Sequence, residues 1–257
     1  MAQSLDTDQL ETEVKTVYRN VAQSPDQEYH FEMGRGLAER LGYRPEHLDQ
    51  VPAAAIDSFA GVGYHFDIAQ INEGESVLDL GSGSGTDVFV AALHVGETGD
   101  VVGLDMTEEQ LEKSRALRDE AGFDQVSFEQ GYIEEPPFPD DRFDVVISNG
   151  VINLSAEKER VFAEALRMLK PGGRLALSDI ISEQQLPNSI KSDADLWASC
   201  IGGAEQIDQY TTLIEDTGFE VADVRENDDY RFISESAASA CDKYGIKSIS
   251  LSAQKPA

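Results

Sequence analysis

The chain has 257 residues, with 49 acidic side chains against 20 basic ones and a formal net charge of −29. This length allows one main domain with a sizeable hydrophobic core. Nucleic acid is excluded as an expected partner because basic clusters are absent, and a membrane role is disfavoured because no apolar run approaches the roughly 18 to 20 residues that span a bilayer.

The acidic residues are scattered through every segment of the sequence. An ordinary solvated surface would account for them, but we favour a halophilic protein of an acidic proteome, because salt screens the self-repulsion of such a chain. Cys200 and Cys241 are too few for a disulfide framework, and Met1 to Asp6 lack the basic and apolar regions of a signal peptide. The sequence therefore predicts a cytoplasmic protein.

Residues 1–75 predict a helical lead-in to the rest of the chain. Apolar residues recur at helical spacing over residues 8–22, a second helix is predicted over residues 33–41 before Gly42, and Pro45 is suited to begin a third. Residues 58–64 contain two glycines and predict a loop, which either lies over a ligand or is an ordinary connector.

From Ser76 onward, short apolar runs alternate with polar segments of helix length. This pattern is typical of a parallel sheet covered by helices on both faces, so we predict a doubly wound α/β fold. Thr107 and Ser155 are predicted helix caps, and Pro171-Gly172-Gly173 is predicted to end a helix. The predicted strands are residues 76–80, 101–104, 126–128, 143–148, 174–178, 219–224 and 246–251.

Residues 77–87, Val-Leu-Asp-Leu-Gly-Ser-Gly-Ser-Gly-Thr-Asp, predict a buried strand that runs into a glycine turn. Gly81, Gly83 and Gly85 allow the backbone to bend sharply and to approach a ligand closely. The helix that follows offers unpaired N–H groups. Two classes of protein use such a turn: dehydrogenases that bind a dinucleotide, and methyltransferases that hold the amino-acid end of S-adenosylmethionine.

Three residues bear on this choice. Asp105 follows the second strand, where a carboxylate can accept hydrogen bonds from the ribose hydroxyls of either cofactor, or can cap a helix. Asp79 would repel a pyrophosphate but attract the ammonium and sulfonium of S-adenosylmethionine. Position 86 is Thr, so the spacing G-x-G-x-x-G of the dinucleotide fingerprint is not met. These residues favour the methyltransferase.

The chain resembles the class I methyltransferases that use S-adenosylmethionine and, more narrowly, the arsenite methyltransferase family. The glycine turn is typical of the class, whereas Ile-Asn-Leu-Ser at 152–155 and Cys-Ile-Gly-Gly-Ala at 200–204 are narrower signals. The resemblance covers residues 58 to about 219. It implies a Rossmann-like seven-stranded methyltransferase sheet with a C-terminal α/β extension, in which residues 1–75 form an acceptor-side cap and residues 76–257 bind S-adenosylmethionine.

The resemblance also implies the residues of a cofactor site. The glycines would shape the methionine pocket, Asp105 would hold the ribose, Tyr132 and Ile133 would frame the adenine or be core residues, and Asn149 would border the methionine. The predicted cofactor-binding residues are Asp79, Gly81, Ser82, Gly83, Gly85, Asp105, Met106, Tyr132, Ile133 and Asn149. By the same analogy Tyr18, Tyr64 and Trp197 line an acceptor pocket or pack the lead-in onto the sheet.

One departure from the family concerns the thiols. Arsenite methyltransferases usually bind trivalent arsenic with three thiolates, and here Val62 and Gly150 occupy two of those positions, so that only Cys200 remains. The resemblance therefore implies a changed acceptor pocket and impaired activity on arsenite. Cys200 is either a core cysteine or a member of that pocket. The histidines lack ligand spacing, so no metal site is predicted.

His65 is the second candidate catalytic residue beside Cys200. It follows the loop that would cover the site and could take a proton from an acceptor, or it could be an exposed loop histidine. The leading hypothesis is a methyltransferase that acts on a small-molecule acceptor held between the lead-in and residues 186–204. The alternatives are a non-catalytic protein that binds or senses S-adenosylmethionine and, more distantly, an NAD-dependent oxidoreductase.

Overall fold

The structure is a computed structural model that describes residues 7–27, 29, 31–191, 197, 201–233 and 235–257. Within these residues a single mixed sheet carries the fold. All seven predicted strands are present, and a two-residue strand adds to them. The strands are β1 Ser76–Leu80, β2 Asp100–Asp105, β3 Val126–Gln130, β4 Phe143–Asn149, β5 Leu169–Ser182, β6 Glu205–Gln206, β7 Glu220–Glu226 and β8 Lys247–Gln254.

The strand order is β3-β2-β1-β4-β5-β8-β7, and β6 pairs with the end of β5. Strands β1 to β5 are parallel, whereas β8 is antiparallel to both β5 and β7. The chain winds outward from β1 to β3 and then crosses back to β4. The carboxyl ends of β1 and β4 therefore form the switch point at which ligands bind in open α/β sheets.

Helices cover both faces of this sheet, as the alternation of short apolar runs predicts. Those described are α1 Thr7–Gln23, α2 Arg35–Leu41, α3 Pro45–Leu48, α4 Ala53–Ile56, α5 Phe66–Ala69, α6 Thr86–Val95, α7 Glu108–Ala121, α8 Lys158–Met168, α9 Asn188–Lys191, α10 Ile207–Asp216 and α11 Glu235–Tyr244, with a 3-10 turn at Ile152–Leu154. None of the described helices is long and apolar enough to cross a bilayer.

Alternate residues of β1 point into two hydrophobic clusters on opposite faces of the sheet. Val77 faces a cluster that contains Leu48 of the lead-in and Phe89 of α6, whereas Leu78 faces a cluster that contains Phe162 of α8. Strand β1 is thus buried on both sides, which explains its near-continuous run of apolar residues. Helices α2 to α5 of the lead-in share the first cluster with the sheet and are part of the main hydrophobic core.

The helix ends differ locally from the predictions. Thr107 precedes α7, but its hydroxyl makes no capping bond. Ser155 lies two residues before the N-cap residue Glu157, and its hydroxyl accepts a hydrogen bond from the Glu157 N–H at 3.0 Å. Pro171 and its two glycines lie inside β5, because Leu169 already pairs with Phe143 before a shift in register. The segment that was predicted to end the helix therefore forms the irregular first part of β5.

His65 differs most from its prediction. Its side chain is 0 % exposed and its ring stacks on Phe66, with the ring centroids 4.7 Å apart. Burial lowers the pKa of His65 to about 3, despite the nearby charge of Asp67. Among the described residues neither ring nitrogen has a hydrogen-bond partner. The prediction of an accessible proton acceptor is wrong, because the loop turns this side chain into the core.

The burial of neutral His65 predicts a loss of stability in acid. A folded pKa of about 3 lies below the unfolded value, so this contribution is complete above about pH 6.5 and is lost as the pH falls. We expect the free energy of unfolding of the wild type to fall by about 2 kcal/mol more than that of His65→Phe between about pH 7 and pH 5. Urea unfolding in molar potassium chloride measures this difference, and parallel pH profiles would contradict the assignment.

Candidate cofactor and acceptor site

A cavity of about 450 Å³ opens at the carboxyl ends of β1, β2 and β4. Its walls come from the glycine turn, the start of α6, the segments after β2, β3 and β4, and the lead-in. It is therefore at the switch point of the sheet. Of the predicted site residues, those that line it are Tyr18, Asp79, Gly81, Ser82, Gly83, Asp105, Met106, Tyr132, Ile133, Asn149, Gly150 and Trp197.

The glycine turn is fixed to the neighbouring strand by backbone hydrogen bonds. The N–H groups of Gly81 and Ser82 donate to the Leu104 carbonyl at 2.8 and 2.9 Å. Gly81 has φ +76°, and a Cβ there would lie 2.5 Å from the Val151 side chain, so only glycine fits. A Cβ on Gly85 would instead meet Phe128 at 2.8 Å in the core. Gly85 shapes the turn but, contrary to its prediction as a contact, lies outside the described cavity wall.

Asp105 is oriented at the end of β2 by two backbone donors. One carboxylate oxygen accepts from the Gly83 N–H and the other from the Thr107 N–H, each at 2.8 Å. Burial raises the pKa of Asp105, and these hydrogen bonds oppose that rise. Each oxygen keeps a lone pair for a further donor, so the carboxylate can accept the two hydroxyls of a ribose without reorienting.

Asp79, Asp87 and Asp105 together give the cavity a negative wall. Burial and the charges of the other two raise the pKa of Asp79 well above its usual range, and burial raises the pKa of Asp87 to about 6. No described lysine or arginine forms an ion pair with any of the three. The hydroxyl of Ser82 is also buried without a described hydrogen-bond partner. These groups fit a ligand that brings positive charge and hydrogen-bonding groups, as S-adenosylmethionine does with its ammonium and sulfonium.

The predicted adenine side of the cavity lies beyond β2 and β3. Met106, Tyr132 and Ile133 line it, and Ile133 also packs against the core. Tyr132 is 43 % exposed, and the ammonium of Lys15 on α1 lies 4.6 Å from its ring centroid. An exposed aromatic ring beside Asp105 offers a flat apolar surface on which a base can stack.

A further part of the wall is aromatic and apolar, and Met106 packs against it. Val14 and Tyr18 line it from one face of α1, since residues four apart in a helix are neighbours. Trp197 completes this wall, and its indole N–H donates to the Leu154 carbonyl at 3.1 Å. Phe59 adds a further ring from the lead-in. Tyr64 does not line the described wall: its ring packs on Tyr43 with the centroids 4.9 Å apart.

Asn149 lines the cavity at the end of β4, but its amide is committed to protein contacts. The oxygen accepts from the N–H groups of Val62 and Gly63, and the nitrogen is within 3.1 Å of three acceptors, one of them on Asp87. An amide has only two N–H bonds to donate. Asn149 therefore borders the cavity mainly as a residue that holds the loop.

The two positions without thiols are in contact. Val62 is 1 % exposed and lies behind Gly150, where a Cβ would be 3.1 Å from a methyl group of Val62. Gly150 lines the cavity, whereas Val62, predicted as a pocket residue, is buried with the core residues Ile180 and Ile246. Cys200, the remaining predicted thiol, lies outside the described residues.

Asp87 and Gln110 are site residues that the sequence analysis missed. Asp87 lines the cavity from the first turn of α6. Gln110 accepts from the Ser84 hydroxyl at 2.6 Å and donates to the Tyr18 carbonyl at 2.8 Å, so it joins the glycine turn to α1. The sequence did carry a signal that Asp87 belongs to the site, because it is an acidic residue in the first turn of the helix after the glycine turn. The role of Gln110 depends on the packing of α1 on α7 and could be recognised only in the structure.

Comparisons with known proteins agree with this geometry. A family profile described as "Methyltransferase domain" matches residues 71–218. An arsenite methyltransferase from Halobacterium salinarum is 38 % identical over 221 residues, which are 86 % of this chain and 56 % of that protein. A ubiquinone/menaquinone biosynthesis C-methyltransferase from Escherichia fergusonii is 34 % identical over 182 residues, 62 % of this chain and 72 % of that protein.

Among solved structures, an arsenic(III) S-adenosylmethionine methyltransferase from Chlamydomonas reinhardtii superimposes with a TM-score of 0.64 at 31 % identity, covering 88 % of this chain and 75 % of that one. This chain spans between 44 % and 60 % of the length of three arsenite methyltransferases that it matches. The predicted fold and the predicted cofactor, S-adenosylmethionine, are confirmed at the level of the family. The profile covers more than half of the sequence, and the chain therefore belongs to the methyltransferase domain family.

Proposed function

We propose that this protein is a methyltransferase that uses S-adenosylmethionine to methylate a small molecule. The observation that carries the proposal is the cavity at the switch point, where three buried carboxylates face a glycine turn. Asp79 and Asp105 would hold the methionine and ribose parts of the cofactor, and Tyr132 with Met106 would contact its adenine. The matches to methyltransferases favour this function over an NAD-dependent oxidoreductase.

When bound, S-adenosylmethionine supplies a methyl group activated by a positively charged sulfur. The residues of the chain then have two tasks, to align an acceptor with that methyl group and to exclude water. The acceptor would lie against the aromatic part of the wall, beside Tyr18, Phe59 and Trp197. We propose residues 1–75 as an acceptor-side cap and residues 76–257 as the cofactor-binding part, although the two share one hydrophobic cluster.

We propose that the acceptor differs from arsenite, the substrate named for several relatives. Soft thiolates hold trivalent arsenic, and Val62 and Gly150 offer none. Gly150 has φ +70°, a conformation that side chains with a Cβ rarely adopt, so the backbone itself suits glycine here. An aromatic and apolar wall favours a small acceptor with apolar surface.

We also propose that the protein works in a salt-rich cytoplasm, and the charge of the chain supports this. Acidic residues outnumber basic ones by 49 to 20. One relative comes from a halophilic organism, Halobacterium salinarum. Salt would screen the repulsion among the exposed carboxylates that the fold brings together.

The first prediction from the proposed function concerns the cofactor. Asp105→Ala removes a carboxylate aligned for two hydroxyls, and we expect S-adenosylmethionine to bind about 10- to 100-fold more weakly. Asp124→Ala, at an exposed aspartate outside the described cavity wall, is the matched control and is expected to bind normally. Isothermal titration calorimetry in molar potassium chloride measures both constants. Equal affinities for the two variants would contradict the assignment of Asp105.

The second prediction concerns the acceptor. In molar potassium chloride, with S-adenosylmethionine labelled in its methyl group, we expect transfer to a member of a panel of small apolar acceptors and little transfer to arsenite. Label in extracted products measures both. Efficient methylation of arsenite would show that the missing thiols are dispensable. Cofactor binding without any transfer would instead favour a protein that binds or senses S-adenosylmethionine.

The third prediction concerns salt. We expect the free energy of unfolding to rise, on the order of 1 kcal/mol or more, when potassium chloride increases from roughly 0.2 M to roughly 3 M, because ions screen the net charge. Urea unfolding followed by circular dichroism measures the change. A protein that keeps its fold and its cofactor affinity after dialysis out of molar salt would contradict the proposed salt adaptation.

A further inference from the structure

A buried group of three hydrogen-bonded side chains connects the cofactor end of the cavity to the acceptor loop, which we define as residues 58–64. The Tyr43 hydroxyl donates to one oxygen of Asp87 at 2.5 Å. The amide nitrogen of Asn149 lies 3.0 Å from the other oxygen of Asp87 and 3.1 Å from the Tyr43 hydroxyl. Three separate parts of the chain, the lead-in, α6 and the end of β4, thus meet at one point.

At its other end this group holds the backbone of the acceptor loop. The side-chain oxygen of Asn149 accepts from the N–H of Val62 at 2.8 Å and of Gly63 at 3.3 Å. A Cβ on Gly61 would lie 2.6 Å from the Asn149 amide nitrogen, so the loop passes too close for any side chain at that position. Asn149 therefore holds this part of the loop together with Ser248, whose hydroxyl donates to the Val62 carbonyl at 2.6 Å.

Packing adds to these hydrogen bonds. Tyr43 is 2 % exposed, and its ring contacts Phe59 and Tyr64 of the acceptor loop edge to face, with centroids 5.0 and 4.9 Å apart. Phe59 also lines the cavity. A change in the position of Tyr43 would therefore move both a loop residue in the wall and the backbone that Asn149 holds.

We propose that Tyr43, Asp87 and Asn149 are positioning residues that couple occupation of the cofactor end of the cavity to closure of the acceptor loop. The inference rests on the proposed function, since it takes the ligand of that end to be S-adenosylmethionine. It implies an order of binding in which the cofactor comes first and prepares the acceptor side.

The physical basis is the charge of Asp87, which lines the cavity. Asp87 is buried with Asp79, and burial raises the pKa of Asp87 to about 6. Positive charge from the cofactor attracts the ionised carboxylate and fixes it in the position from which it accepts hydrogen bonds from Tyr43 and Asn149. A fixed Asn149 in turn holds the loop more firmly. Because such coupling is reciprocal, a closed loop also favours the cofactor.

Hydrogen exchange tests the coupling directly. With saturating S-adenosylmethionine in molar potassium chloride, we expect the backbone amides of Val62 and Gly63 to exchange about 5- to 100-fold more slowly than without it. In Tyr43→Phe and in Asp87→Asn this slowing is expected to fall to less than about half of the wild-type factor, with cofactor binding checked by calorimetry. Asp87→Asn keeps the shape of the side chain, so it provides the test on its own if Tyr43→Phe does not fold.

Tyr210→Phe is the matched control. It removes the hydroxyl of another fully buried tyrosine that donates to a buried aspartate, Asp179, at 2.7 Å, outside the described cavity wall. This variant is expected to lose stability but to keep the slowing. Equal slowing in Tyr43→Phe, Asp87→Asn and the wild type would overturn the proposal, as would cofactor binding without any slowing in the wild type. Failure of the wild type to bind S-adenosylmethionine would overturn the proposed function itself.

Discussion

The burial of Asp79, Asp87 and Asp105 around one cavity is the constraint on which the rest of the site depends. Burial raises the pKa of all three, the charges of Asp87 and Asp105 raise that of Asp79 further, and burying the three carboxylates without a described cationic partner opposes folding. The fold tolerates them because backbone N–H groups hold Asp105, and Tyr43 with Asn149 satisfies Asp87. A cationic ligand completes the compensation, so the site is stabilised by the cofactor that it binds.

The same constraint explains why the lead-in cannot be separated from the sheet. Tyr43 belongs to the lead-in, yet its hydroxyl satisfies a carboxylate in the first turn of α6. Leu48 and Phe59 of the lead-in share a hydrophobic cluster with Val77 of β1. The proposed acceptor and cofactor sides are thus built on one core, so a change in either is transmitted to the other through packed side chains.

The sequence predicted what depends on local pattern. The strands follow from apolar runs, and the positions of Asp79 and Asp105 follow from the ends of two such runs. The direction of a loop side chain depends on distant contacts, which is why His65 and Tyr64 were expected at the cavity but pack into the core. For the same reason the amide of Asn149 could not be recognised as the holder of residues 62 and 63, which are 86 or more positions away.

Val62 and Gly150, the two positions at which the resemblance to arsenite methyltransferases implies thiols, lie in contact. A methyl group of Val62 occupies the space beside Gly150 that a side chain there would need, and the left-handed backbone of Gly150 disfavours any residue with a Cβ. A cysteine at position 150 would meet both the Val62 methyl group and the unfavourable backbone conformation. A cysteine at position 62 alone would lie behind the cavity wall. Asn149 precedes Gly150 in the chain and accepts a hydrogen bond from the Val62 N–H. Neither position is therefore free to change its geometry separately. Positions 62 and 150 therefore form one packed unit, and under the proposed function they give the acceptor part of the cavity a wall without thiols.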